Sequence, residues 1–312
     1  MVEAVAPAGL GADEARRISS KTAWATMNSM ISDPDLRSLA DQLVEVPGIV
    51  AVMLGGSRAR GEEHPDSDVD LGLYYRPPLD TDALRRLARS AGSARERPGQ
   101  SPDLTEPGAW GPWVDGGGWL RIGDTPVDWI YRDLDRVRRS SDQALAGEFT
   151  FHFQVGHPFG IPDFAYAGEV ALGVVLADPT GELQRTKERL HGYPAALGPA
   201  IIGRLAEARF LLGIVAKSAY RADTTFVAGC LFRVVTLCAH AIHARARRWV
   251  VSEKGIVDSA ARFDVAPVAF GERAHGILAN LGTRDQGLLL AIHGAEQLVD
   301  DVWLVCADRE GP

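Results

Sequence analysis

The chain has 312 residues, 46% of them apolar, and a formal net charge of −8, which is the composition of a globular protein long enough for two cores. The acidic balance argues against the broad basic face that nucleic-acid binders present and favours cationic over polyanionic partners. Three cysteines, Cys230, Cys238 and Cys306, lack metal-ligand spacing and read as reduced core thiols. The longest apolar runs, such as that from Phe210 to Ala216, fall short of a membrane span, and the N-terminus lacks a basic-then-apolar signal, so the expected location is cytoplasmic.

Residues 1–30 are rich in alanine, glycine and proline and read as an N-terminal extension, with a short helix or ordered arm from Ser19 to Ile31. Pro34 to Val44 follows as an amphipathic helix with Leu36, Leu39 and Leu43 on one side. Gly48 to Leu54 is a β-branched apolar run of strand length that ends in Gly55 and Gly56, where the chain must turn sharply. Ser57 stands where an N-cap is expected, so free backbone N–H groups, its hydroxyl and Arg58 face an anion, the makings of a phosphate site.

Asp68 and Asp70 lie two apart in the next apolar run, and strand periodicity puts both carboxylates on one face, with Val69 and Leu71 on the other. Asp80-Thr81-Asp82 caps a helix through Leu84 and Leu87 to about Ala91. Residues 92–118 form a Gly/Pro-rich stretch too long for a passive connector. Trp110, Trp113 and Trp119 around it read as packing at a sheet edge, with stacking on a ring of a ligand as the alternative.

Trp119 to Ile122 and Pro126 to Tyr131 read as two strands joined at Gly123-Asp124, which sets Asp128 in mid-strand. The mixed charges from Asp133 to Arg139 open a solvated helix. Residues 147–164, with His152 and His157 at no metal spacing, read as a loop or hairpin. Val174 to Gly181 gives a last strand and turn, closing the first domain at 181.

From Glu182 the texture is helical: Leu183 to Leu190, Pro199 to Tyr220, Thr225 to Trp249 and Asp285 to Cys306. The expected class is α+β, with a small mixed sheet flanked by helices over residues 31–181 and a helical bundle over 182–312. His240 and His243, one turn apart on an apolar helix, read as packing residues. Lys217 and Arg221 near a helix C-terminus are placed as the helix dipole favours. Glu253-Lys254-Gly255 reads as a helix end, with lining of a cleft as the alternative.

Two hard oxygen ligands side by side, Asp68 and Asp70, suit Mg²⁺, which is usually held by one or two carboxylates plus substrate phosphates. The phosphate turn and the acid pair are then two halves of one site, and Asp128 is the candidate third carboxylate for a second metal. Gly-Gly-Ser, then Asp-x-Asp, then a lone Asp on a later strand resembles the nucleotidyltransferase superfamily that includes DNA polymerase beta and the aminoglycoside and lincosamide nucleotidyltransferases. The match is specific over residues 48–75 and weaker beyond.

The resemblance implies transfer of a nucleoside monophosphate from a nucleoside triphosphate, ATP by default, with release of pyrophosphate. It assigns Asp68, Asp70 and Asp128 to two Mg²⁺ ions and Asp128 to the role of general base. It assigns Gly55, Gly56, Ser57 and Arg58 to the phosphates, and has Lys217 reaching across a cleft to the triphosphate. The first acceptor class is a small hydroxylated molecule such as an aminoglycoside-like or lincosamide-like antibiotic. The alternatives are a tRNA- or protein-modifying enzyme of toxin type and a non-catalytic nucleotide-binding protein.

Overall fold

The computed structural model describes residues 31–61, 67–94 and 104–307. The N-terminal extension, with its expected helix from Ser19, and the middle of the 92–118 stretch lie outside the described residues.

Helix α1 (Asp33–Val44) begins where a capping box can form: the Ser32 hydroxyl accepts from the Asp35 N–H and the Asp35 carboxylate accepts from the Ser32 N–H. Strand β1 (Ile49–Leu54) runs into the short helix α2 (Gly56–Ala59), and β2 (Val69–Tyr75) follows. Helix α3 (Thr81–Ala91) starts at Asp80, whose carboxylate accepts from the Ala83 N–H at 2.8 Å. Strands β3 (Ser93–Ala94), β4 (Gly117–Ile122) and β5 (Thr125–Asp133) come next, and α4 (Leu134–Ala146) is capped by Asp133.

A hairpin of β6 (Phe151–Gln154) and β7 (His157–Pro162) leads to α5 (Phe164–Leu172) and the last strand, β8 (Val174–Ala177). The main sheet has the order β3-β4-β5-β2-β1-β8. The central β2–β5 pairing is parallel and the other pairings are antiparallel, which gives the mixed sheet of an α+β protein.

Strand alternation sorts the two faces. Val52, Leu54, Val69, Leu71, Leu73, Val127 and Trp129 pack on Leu36, Leu39 and Leu43 of α1 and Leu84 of α3. Ala51, Met53 and Tyr74 point the other way, into a core shared with α4, α5 and the helices beyond. Each fully buried Val or Leu contributes roughly 1.5–3 kcal/mol, so the row Val69, Leu71, Leu73 fixes the register of β2 strongly.

The second half is helical: α6 (Glu182–Arg189), α7 (Leu197–Gly203), α8 (Leu205–Ala219), α9 (Thr224–Arg245), α10 (Ile256–Ala260), α11 (Phe270–Ala279) and α12 (Asp285–Ala307). The single helix expected from Pro199 to Tyr220 is two, α7 and α8, divided at Arg204. Helix α9 is the axis on which α7, α8, α10 and α12 pack. It is long and apolar enough to cross a membrane, but 67% of its apolar window is buried inside the protein.

One apolar cluster runs from Ala51 and Met53 through Phe164 and Tyr166 to Val299 and Val302, so the core continues across residue 181. Polar ties cross there too. Arg76, just after β2, donates to both oxygens of Glu182 at 2.9 and 2.6 Å, and these hydrogen bonds pull the Glu182 carboxyl down to about 2.

Candidate active site

Parallel pairing of β2 with β5 sets Asp70 opposite Asp128, then Gly72 opposite Ile130, then Tyr74 opposite Arg132. These six residues line one face of the two strands and form the floor of a cleft of about 430 Å³. Asp68 stands immediately before β2 and does not line the cleft, although its charge reaches Asp70. Burial first, then Asp68 and Glu169, push the Asp70 carboxyl above its ordinary range, against the pull of Arg132 and Arg60.

Gly55 and Gly56 close the end of the cleft above Asp70. The Gly55 N–H donates to the Asp70 carbonyl at 2.8 Å, so this glycine ties β1 to β2 and has no N–H left for a phosphate. Gly56 has φ +64°, and a Cβ there would lie 2.0 Å from Asp70 Oδ2. Only glycine allows both the backbone conformation and the close approach of the carboxylate.

Gly55, not Ser57, occupies the N-cap position of α2, which leaves Ser57 inside the first turn. Arg58 turns away from the cleft: its guanidinium donates to the Ile31 carbonyl and to Asp33, both at 3.0 Å. Arg60 lines the cleft instead.

The opposite wall comes from α5 and from residues 251–254. Glu169, Leu172 and Gly173 present the end of α5, and the Lys187 ammonium locks that end by donating to the carbonyls of Val170, Ala171 and Gly173 at 3.2, 2.7 and 2.8 Å. Val251, Ser252 and Lys254 line the cleft, and Glu253 pins their segment by accepting from the Phe159 N–H at 2.9 Å. Lys217 is exposed at the end of α8 and is not among the lining residues.

Among the described residues no three His, Cys, Asp or Glu side chains are gathered as a ready-made metal cage. Asp70 and Asp128 nevertheless fit a hard divalent cation that keeps waters and takes its remaining oxygens from a triphosphate. The Asp70 carboxylate also occupies the cradle that a side chain at position 56 would fill.

Residues 36–104, which hold β1, the glycine turn and β2, match the family described as nucleotidyltransferase domain. That match takes in residues 48–75, the stretch that carries the resemblance to the polymerase-beta-type nucleotidyltransferase superfamily. A solved nucleotidyltransferase-like protein from Exiguobacterium sibiricum 255-15 is 14% identical, with 86% of this chain and 74% of that one covered and a TM-score of 0.38. No curated protein matches the chain in sequence.

Arg132, Glu169 and Arg60 line the cleft without having been singled out in the sequence. Arg132 had a usable signal, since it follows Asp128 at strand spacing. Glu169 had none, because the all-round apolar α5 was not foreseen as a helix. The tryptophans pack. Trp110 stacks on Trp119 with centroids 4.5 Å apart and Trp113 on His152 at 3.6 Å, and none of the three lines the cleft. The buried Gln154 amide fastens this loop, donating to the Trp110 carbonyl and accepting from the N–H groups of Trp113 and Val114.

Proposed function

We propose that this enzyme transfers a nucleoside monophosphate from a nucleoside triphosphate, ATP by preference, to a hydroxyl of a small, cationic acceptor such as an antibiotic. The observation that carries the reading is the in-register pairing of Asp70 with Asp128 on the floor of a cleft closed by Gly55 and Gly56. The acidic chain and the helical half that walls the cleft support a small cationic acceptor over tRNA.

Asp70 and Asp128, with Asp68 adjoining, would hold Mg²⁺. When bound, it would neutralise triphosphate charge and acidify the acceptor hydroxyl. The acceptor oxygen attacks the α-phosphorus, the bond to the β-phosphate oxygen breaks, and pyrophosphate leaves. Asp128 takes the hydroxyl proton, as a carboxylate within reach of the attacking oxygen. Gly56 and Ser57 orient the β- and γ-phosphates, while Arg60 and Lys254, the cations lining the cleft with Arg132, face their charge.

The test is pyrophosphate release from each nucleoside triphosphate with aminoglycosides, lincosamides and total tRNA as separate acceptors, with and without Mg²⁺. Release with one small molecule, lost in Asp70→Asn, is the expected outcome. Full activity of that variant would refute the site, and release only with tRNA would refute the acceptor class.

A further inference from the structure

A buried cation shares the cleft with the two carboxylates. Arg132 lies on the same face of β5 as Asp128, is 8% exposed, and lines the cleft with Asp70 and Asp128. Its charge acts on Asp70. Left free to swing along the cleft, such a guanidinium would compete with any divalent ion for these carboxylates, since an opposite charge within about 4–6 Å stabilises a carboxylate by a factor of ten or more.

Glu169 prevents this. Its two oxygens accept from Arg132 Nε and Nη2 at 2.6 and 2.7 Å, the bidentate geometry that holds a guanidinium plane in place. Glu169 is itself fixed, because it sits in the last turns of α5, whose terminal carbonyls are held by Lys187. Tyr166, one turn earlier on α5, lies under the same guanidinium at 5.5 Å.

We infer that Glu169 is a positioning residue that neutralises Arg132 and keeps it off Asp70 and Asp128, so that the acid pair stays available to a divalent cation. The inference rests on the assignment of Asp70 and Asp128 as metal-holding residues. It gives the pair a purpose that stability alone does not supply, since replacing a buried ion pair with neutral groups of similar shape is often harmless to a fold.

The experiment measures Mn²⁺ binding to the intact protein without nucleotide, by paramagnetic resonance of the free ion, for wild type, Asp70→Asn, Glu169→Gln, Arg132→Gln and the Arg132→Gln/Glu169→Gln pair. Circular dichroism and thermal melting report the folding of each. Glu169→Gln should bind Mn²⁺ at least tenfold more weakly than wild type, Arg132→Gln should bind it no more weakly, and the double variant should recover at least half of the logarithmic loss. A folded Glu169→Gln with wild-type affinity overturns the inference, as does a folded double variant that stays as weak as Glu169→Gln. If Glu169→Gln fails to fold, the comparison of the double variant with Arg132→Gln decides: equal affinities support the neutralised pair, and a tenfold deficit in the double variant overturns it. Wild-type binding that Asp70→Asn leaves untouched overturns the metal assignment itself and the inference with it.

Discussion

Gly56→Ala is the most informative single methyl group to add to this protein. The new Cβ would lie 2.0 Å from Asp70 Oδ2, whereas real contacts of this kind do not fall below 3.0 Å, so the carboxylate must retreat by about 1 Å. The backbone at φ +64° adds a second cost of roughly 1–2 kcal/mol, because a side chain in the left-handed region crowds the following carbonyl. A misplacement of about 1 Å in a reacting geometry costs on the order of 100-fold in rate. The variant should therefore lose about two orders of magnitude in kcat/KM for triphosphate turnover and melt a few degrees lower, and still fold. Pyrophosphate release and a thermal melt on the same preparation read both. Turnover within threefold of wild type would show that Asp70 need not stand where the glycine turn leaves room for it, and the reading of the turn would fall.

Three other outcomes follow from the packing. Burial holds His240 down to about 3 and His243 to about 4, while both titrate near 6.5 in the unfolded chain. Between those values the unfolded chain takes up protons that the native protein refuses. Stability should thus be whole above pH 6.5 and fall on acidification toward pH 4, by up to about 1.4 kcal/mol per pH unit for each histidine. Urea midpoints across pH 4–7.5 for wild type and His240→Phe measure this, and identical profiles would contradict it. Lys254→Ala should raise KM for the triphosphate by roughly tenfold with a smaller change in kcat, as expected for lost binding of charge. The same measurement on Lys217→Ala is the counter-test, and a larger effect there would move the triphosphate contact to α8. Gln154→Ala removes three hydrogen bonds to the tryptophan loop and should cost about 1–3 kcal/mol. Limited proteolysis should then cut within residues 104–116, and resistance equal to wild type would show that the ring stacks hold the loop unaided.

The strands and turn that frame the candidate site were the most legible part of the sequence because they are written in local spacing. Two glycines after an apolar run, then acids at alternating positions, require no knowledge of distant contacts, and β1 and α1 stand within a residue of where periodicity puts them, while β2 begins at Val69 and leaves Asp68 just outside it. Asp128 was legible for the same reason. The cleft's other wall was not. Glu169 sits on a helix that is mostly buried and apolar on every side, so no amphipathic stripe announced it. Lys254 lies in a loop placed by the burial of nearby Val250 and by a hydrogen bond that Glu253 accepts from a hairpin 94 residues earlier. Arg58 and Ser57 were misplaced by a single step, since the cap fell on Gly55 and the arginine found Ile31 and Asp33, partners invisible to short-range reading.

The pairing of Asp70 with Asp128 has a consequence for descent. The two acids are brought together by hydrogen bonds between strands and by the side on which Val69 and Val127 must bury themselves, and not by the segment that connects them. A single inserted residue within β2 or β5 would turn one acid to the opposite face, a constraint that the sequence of the connecting segment does not share. Insertions and deletions should therefore be eliminated within 69–75 and 125–133. Lineages of this protein can thereby vary the residues of the connection while inheriting the acid pair unchanged.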